Sequence, residues 1–202
     1  MKIAVLANTI QWQELVLVSE NSGWVRFSDE LEFLEYDADI FINLYENAFA
    51  TDYSAIKKPV LINSVSNTLK EINGAKNILR MNGWNGFLSR PRWEVAGTID
   101  QSLKDFFSGI KKAVTVVPDE PGMIAPRVIS MIINEAYFAL DEKLSTKEEI
   151  DTAMKGGVNY PYGPFEWCDK IGIKNIYTLL QKLSTADKRY LPSPLLQKRA
   201  VV

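Results

Sequence analysis

Histidine is absent from the 202 residues. That removes the side chain most often used as a general base near neutral pH and the commonest nitrogen ligand for metals. Cysteine is nearly absent: Cys168 stands alone, which excludes an intrachain disulfide and, with no histidine, the usual zinc sites. A reducing cytoplasm and no metal are the expectation. There is no basic excess either. Lys and Arg number 23 against 25 Asp and Glu, a net charge of -2, which leaves nothing to neutralise a phosphate backbone and argues against nucleic acid as a partner. Long apolar runs are missing too. The run that opens the chain stops at Asn8, too short for a signal-peptide core. Val128 to Leu140 is interrupted by Ser130, Asn134 and Glu135, so no membrane span is expected. The first glycine is Gly23, late for any phosphate-binding loop behind a first strand.

What remains is an ordinary folding composition, 47% hydrophobic and 24% charged, far from the range where chains stay disordered. The first half alternates short β-branched runs with helical patterns. Lys2–Leu6, Asp39–Leu44, Pro59–Asn63 and Ala113–Val117 read as strands, the last three as continuously apolar as buried parallel strands are. Asn77–Trp84 and Trp93–Ala96 read as further strands. Helices are expected at Asp29–Glu35 and at Ile99–Lys112, where Leu103, Phe106, Phe107 and Ile110 make one apolar face. Gln11–Asp37 has room for a short helix and the strand Trp24–Phe27, with Asn21-Ser22-Gly23 as the turn.

Pro118-Asp119-Glu120-Pro121-Gly122 breaks any regular element and marks a boundary between a domain at 1–117 and one at 118–202. Beyond it the pattern is helical. Arg127–Leu144 is apolar on more than one side, as a helix packed between neighbours would be. The next helix is expected to start on a capping box between Ser145 and Glu148 and to stop at Gly156-Gly157. Pro164 suits a first helical position, giving a short helix ended by Gly172, and a fourth follows with Ile176, Leu179, Leu180 and Leu183 in register.

The motifs of this second half point to a family. Pro121-Gly122-Met123-Ile124, Asn134-Glu135-Ala136, Ile150 to Gly157, Tyr160 to Trp167 and Pro192-Ser193-Pro194-Leu195-Leu196 resemble, in order and spacing, the C-terminal domain of the 3-hydroxyacyl-CoA dehydrogenases. The resemblance continues backwards: Asn82-Gly83-Trp84-Asn85, with Pro91, Trp93, Glu94 and Val95, lines up with the family's His-Phe-Phe-Asn-Pro segment and its Glu-Val, and Asn63-Ser64-Val65-Ser66 with its Asn-Thr-Ser-Ser. It implies a shortened Rossmann-like α/β domain followed by an all-α domain that makes the dimer contact and closes an acyl-CoA cleft.

The departures fall on the chemistry. Where the family has a histidine that takes the substrate's proton and a glutamate that orients it, this chain has Asn82 and Glu94. An amide has no titratable site near neutral pH. The family's asparagine before an arginine corresponds to Pro126, and its serine to Val65 or, one residue on, Ser66. Trp84 and Asn85 complete the candidate cleft. After Leu6 the chain reads Ala7-Asn8-Thr9, without the glycines that let a backbone approach a pyrophosphate. The segment that holds the family's ribose-binding strand and its helical CoA-binding arm is cut short.

Two functions follow from the resemblance. The favoured one is a family member that has lost catalysis and cofactor binding and serves as a binding or assembly subunit. Its expected partners are a second copy through Ile129, Ile132, Ile133 and Tyr137, a full-length dehydrogenase relative, or an acyl-CoA-like small molecule. The alternative is a working NAD-dependent dehydrogenase of fatty-acid metabolism with Glu94 as base, its carboxyl raised by desolvation. The carboxylate pairs Glu30/Glu32 and Glu148/Glu149 read as solvated faces and caps. Cys168 reads as a buried apolar group rather than a nucleophile.

Overall fold

The computed structural model describes residues 1–16 and 23–201, without the side chain of Val158. The chain divides into two compact units, Met1–Met123 and Ile124–Val202. The first holds a seven-stranded sheet built from β1 (Ile3–Leu6), β2 (Trp24–Phe27), β3 (Ile40–Asn43), β4 (Val60–Asn63), β5 (Ile78–Met81), β6 (Arg92–Ala96) and β7 (Ala113–Val116). Their order across the sheet is β2-β1-β3-β4-β5-β6-β7, and every neighbouring pair is parallel except β5 with β6. β1, β3, β4 and β5 are buried at every residue, as their unbroken apolar runs require of strands covered on both faces.

Among the described residues this unit has three α-helices, α1 (Thr9–Val16), α2 (Glu30–Glu35) and α3 (Gln101–Gly109). Asp29 caps α2 and Asp100 caps α3. Leu103, Phe106 and Phe107 turn the inner face of α3 onto Trp93 and Val95 of β6 and Leu79 and Met81 of β5. The helix is shorter at both ends than its apolar pattern, because Asp100 takes the capping position and Lys111 has a positive φ of 55°. Of the expected turn, Asn21 and Ser22 lie outside the described residues, while Gly23 has a φ of 97°.

Two expectations change. Ala113–Val117 does form a strand, but β7 is an edge strand with two exposed and two half-buried residues, so its apolar character does not come from burial on both faces. The boundary also moves to Met123. Asp119 accepts hydrogen bonds from the backbone N–H groups of Leu69 and Lys70, and the Gly122 N–H donates to the Val65 carbonyl. The proline-rich connector is therefore part of the first unit.

The second unit contains α4 (Ala125–Asp141), α5 (Lys147–Val158), α6 (Pro164–Ile171), α7 (Ile173–Ser184) and α8 (Pro194–Ala200). α4 packs against α6, α7 and α8, the central position its broad apolar surface predicts. The capping box of α5 lies one residue on, between Thr146 and Glu149, while the Ser145 hydroxyl also donates to Glu149 at 2.6 Å. Gly156 and Gly157 do not stop the helix. They sit in its last turns with open space around them, and Asn159 takes the left-handed conformation, φ 56°.

Candidate functional site

In an open α/β sheet, ligands bind beyond the carboxyl ends of the strands, where the strand order reverses direction. Here that point lies between β1 and β3, since β2 sits on one side of β1 and all later strands on the other. The residue that occupies the crevice is Gln11. Its side-chain oxygen accepts the Asn8 N–H at 3.1 Å, its own N–H donates to Asn8 Oδ1 at 2.9 Å, and its Nε2 donates to the Leu44 carbonyl beyond β3 at 2.5 Å. Asn8 and Gln11 thus form a reciprocal cap on α1 of the capping-box kind. Gln11 is buried, and its amide spans the gap between the two strand ends.

The amides continue along the sheet. Asn63, at the end of β4, donates from Nδ2 to the same Leu44 carbonyl at 3.1 Å and accepts the Gly83 N–H at 3.1 Å. A Cβ on Gly83 would lie 2.8 Å from the Asn63 side chain, so glycine is what lets the segment after β5 approach this closely. Asn43, at the end of β3, donates to the hydroxyl of Tyr53 at 2.8 Å and accepts the Tyr45 N–H at 3.1 Å. From α1, Glu14 accepts the Gly86 N–H on both oxygens, at 2.7 and 2.8 Å.

The site residues read from the sequence divide between the two units. Asn82 and Glu94 are strand neighbours: the Asn82 N–H donates to the Glu94 carbonyl at 3.2 Å. The Asn82 side chain is buried and its Oδ1 accepts the Trp84 N–H at 3.3 Å, so the local turn uses the acceptor of this amide. Glu94 is half-buried. Trp84 is buried in the core, and Val65 is buried with its carbonyl held by Gly122. Ser66 and Asn85 are half-buried, and Asn85 Oδ1 has no protein partner among the described residues. Pro126 belongs to the second unit, buried in the first turn of α4.

Sequence reasoning missed Arg80. It is fully buried on β5; Nε donates to the Ser64 carbonyl at 2.8 Å, Nη2 to the carbonyls of Val65 and Glu120 at 3.2 Å each, and Nη1 pairs with Asp119 at 2.5 Å. Burial lowers the affinity of the guanidinium for its proton, opposed by Asp119. The signal was an arginine inside the apolar run Ile78-Leu79-Arg80-Met81. Cys168 is buried, and burial pushes its thiol up to about 11, which makes it a poor nucleophile.

The motifs of the second unit are caps and clamps. Asp151 accepts the N–H groups of Phe165 and Glu166 at the start of α6, at 2.8 and 3.2 Å. Glu166 accepts the Gly163 N–H and pairs with Lys155. Asn134 holds the segment before α8, donating to the Leu191 carbonyl at 2.9 Å and accepting the Ser193 N–H at 2.7 Å. Ile129, Ile133 and Tyr137 are buried within the chain, so they cannot also cover a partner, and only Ile132 of the expected set is half-exposed.

The first unit carries a Rossmann-like α/β sheet and the second is all-helical. Residues 122–201 match the family model of the 3-hydroxyacyl-CoA dehydrogenase C-terminal domain. It is 44% identical over 93 residues to the 3-hydroxyadipyl-CoA dehydrogenase of Escherichia coli K12, covering 45% of this chain and 20% of that protein. It is 39% identical over 100 residues to a 3-hydroxybutyryl-CoA dehydrogenase of Bradyrhizobium diazoefficiens, 48% of this chain and 34% of that one. The chain thus spans about a third or less of these relatives' length. The fold matches a crystal structure of (S)-3-hydroxybutyryl-CoA dehydrogenase from Ralstonia eutropha with a TM-score of 0.68 at 24% identity, covering 89% of this chain and 70% of that one. Among the described residues no helix is long and apolar enough to cross a membrane, and no cluster of three or more metal-ligating residues occurs.

Proposed function

We propose that this protein is a non-catalytic member of the family, acting in the cytoplasm as a binding or assembly subunit that neither holds NAD nor oxidises a hydroxyacyl-CoA. Gln11 carries the reading. A dinucleotide needs free backbone amides at the first helix and an open crevice beside it. Here the amides of Asn8 and Gln11 are taken by each other's side chains, and Gln11 reaches Leu44 across the crevice. Ala7, Asn8 and Thr9 bring Cβ atoms where the glycine loop has none. The residues present do not fit the cofactor.

The acid–base positions support the same reading, since Asn82 has no proton to exchange near neutral pH and Pro126 has neither a side-chain donor nor a backbone N–H. The helical unit, best matched to the family, is the part that assembles, with a second copy or with a full-length dehydrogenase. An acyl-CoA-like molecule is the ligand class.

The test is a titration of purified protein with NADH followed by its fluorescence, together with an assay of 3-hydroxybutyryl-CoA oxidation by NAD. No change in fluorescence and no turnover are expected. Turnover that disappears in Glu94→Gln would sink the proposal and establish an NAD-dependent dehydrogenase with Glu94 as base.

A further inference from the structure

Among the described residues the sheet of the first unit ends on β7, whose one strand neighbour is β6. The N–H groups of Ala113 and Val117 donate inward, to the carbonyls of Pro91 and Val95. By the two-residue alternation of an extended strand, the N–H and C=O groups of Val114 and Val116 point away from the sheet. Such an edge is a template for another strand, and folded proteins guard it with a lysine, a proline, a bulge or a covering element. Ala113–Val116 contains no lysine or proline and pairs with β6 in unbroken register. Lys112, the residue best placed to guard it, is turned inward: its ammonium donates to the carbonyls of Leu88 and Arg90 at 3.0 and 2.6 Å. Beside the edge runs a groove of about 540 Å³ lined by Ile99, Lys104, Phe107, Ser108, Val114 and Val116. Val116 is 60% exposed.

We propose that this edge pairs with the β7 edge of a second copy of the chain, antiparallel across a two-fold axis. An antiparallel pair exchanges hydrogen bonds where outward-facing residues stand opposite each other. Val114 opposite Val116, and Val116 opposite Val114, satisfies that condition at both positions and places Thr115 opposite itself on the axis, as an isologous contact requires. The charges select the same direction. The exposed Lys111 precedes the strand and the exposed Glu120 follows it, so an antiparallel partner brings basic end towards acidic end, whereas a parallel one would set like against like. The valines of the two copies then cover each other along the groove. This surface is separate from the helical one of the previous subsection and stands or falls without it.

Thr115→Cys tests the pairing, because residues opposite each other at a position without hydrogen bonds have Cα atoms about 4.5 Å apart, within disulfide range. Cys168 is buried and leaves the background silent. Under mild oxidation Thr115→Cys should form a disulfide-linked dimer at least about tenfold faster than Lys76→Cys, an exposed control on the same unit. Adding Val116→Pro should abolish the difference, since proline removes the outward N–H while leaving the bonds to β6 in place. Should the proline variant lose its circular-dichroism signal, Val116→Lys replaces it as an edge guard. Equal rates for the two single variants, or a dimer that survives the edge substitutions, would overturn the proposal.

Discussion

Asp151 and Gly163 show how a motif that looks chemical is spent on structure. A Cβ on Gly163 would lie 2.3 Å from the Asp151 side chain, and that carboxylate is what holds the first amides of α6. Asp151→Ala should lower the stability of the helical unit by about 1–2 kcal/mol, the usual worth of a lost cap, and Gly163→Ala by at least as much, since cap and backbone must move apart. Urea unfolding of the full chain measures both. If Asp151→Ala unfolds at the wild-type midpoint, the capping role is wrong. The start of α6 at Pro164 was legible because proline at a first turn is a local signal. Asp151 was not, because its bonds reach 14 and 15 residues along the chain. The slip from Ser145 to Thr146 has a plainer cause: Ser145-Thr146 and Glu148-Glu149 offer two boxes of identical spacing.

At the scale of the element, β5 and the connector after β7 make one unit of stabilisation. Partial burial pulls the Asp119 carboxyl up, but the N–H groups of Leu69 and Lys70 and the Arg80 guanidinium prevail and hold it below its ordinary value. A carboxyl depressed in the folded state contributes stability that is present above its unfolded value, near about 3.9, and is lost as pH falls through the folded one. The wild type should therefore lose more melting temperature than Asp119→Asn between neutral pH and the acid limb. Parallel acid limbs for the two proteins would show that Asp119 is not the group responsible. The strands were legible because a buried parallel strand is an unbroken apolar run. Position in the sheet was not: Ala113–Val117 reads like Pro59–Asn63, yet one lies at the edge and the other at the centre. The crevice was half legible. Missing glycines after Leu6 can be counted, but that Gln11 crosses to Leu44 depends on strand order, which no local pattern carries.

For the whole molecule, burial revises which residues can meet a partner. Ile129, Ile133 and Tyr137 are already covered, whereas Ile124 and Val128 on the same chain segment are 53% and 54% exposed. One turn apart and followed by the half-buried Met131 and Ile132, they form the stripe that a partner of the helical unit would cover. Light scattering at micromolar concentration should give a mass above 22.9 kDa that falls in Val128→Glu. A wild-type mass that stays at the monomer value as concentration rises removes assembly through this stripe.

Arg80 also sets an order of events as the chain emerges from the ribosome. Its partners lie 15 and 16 residues behind it and 39 and 40 ahead, so β5 is made well before the carboxylate that neutralises its guanidinium. Until Asp119 and Glu120 arrive, closing the sheet around β5 would bury a cation without its counter-charge, a strongly unfavourable state. Closing the sheet around β5 is therefore favourable only once the last residues of the first unit can supply those partners. The segment that reads in sequence as a mere spacer is the latch that neutralises and closes over Arg80.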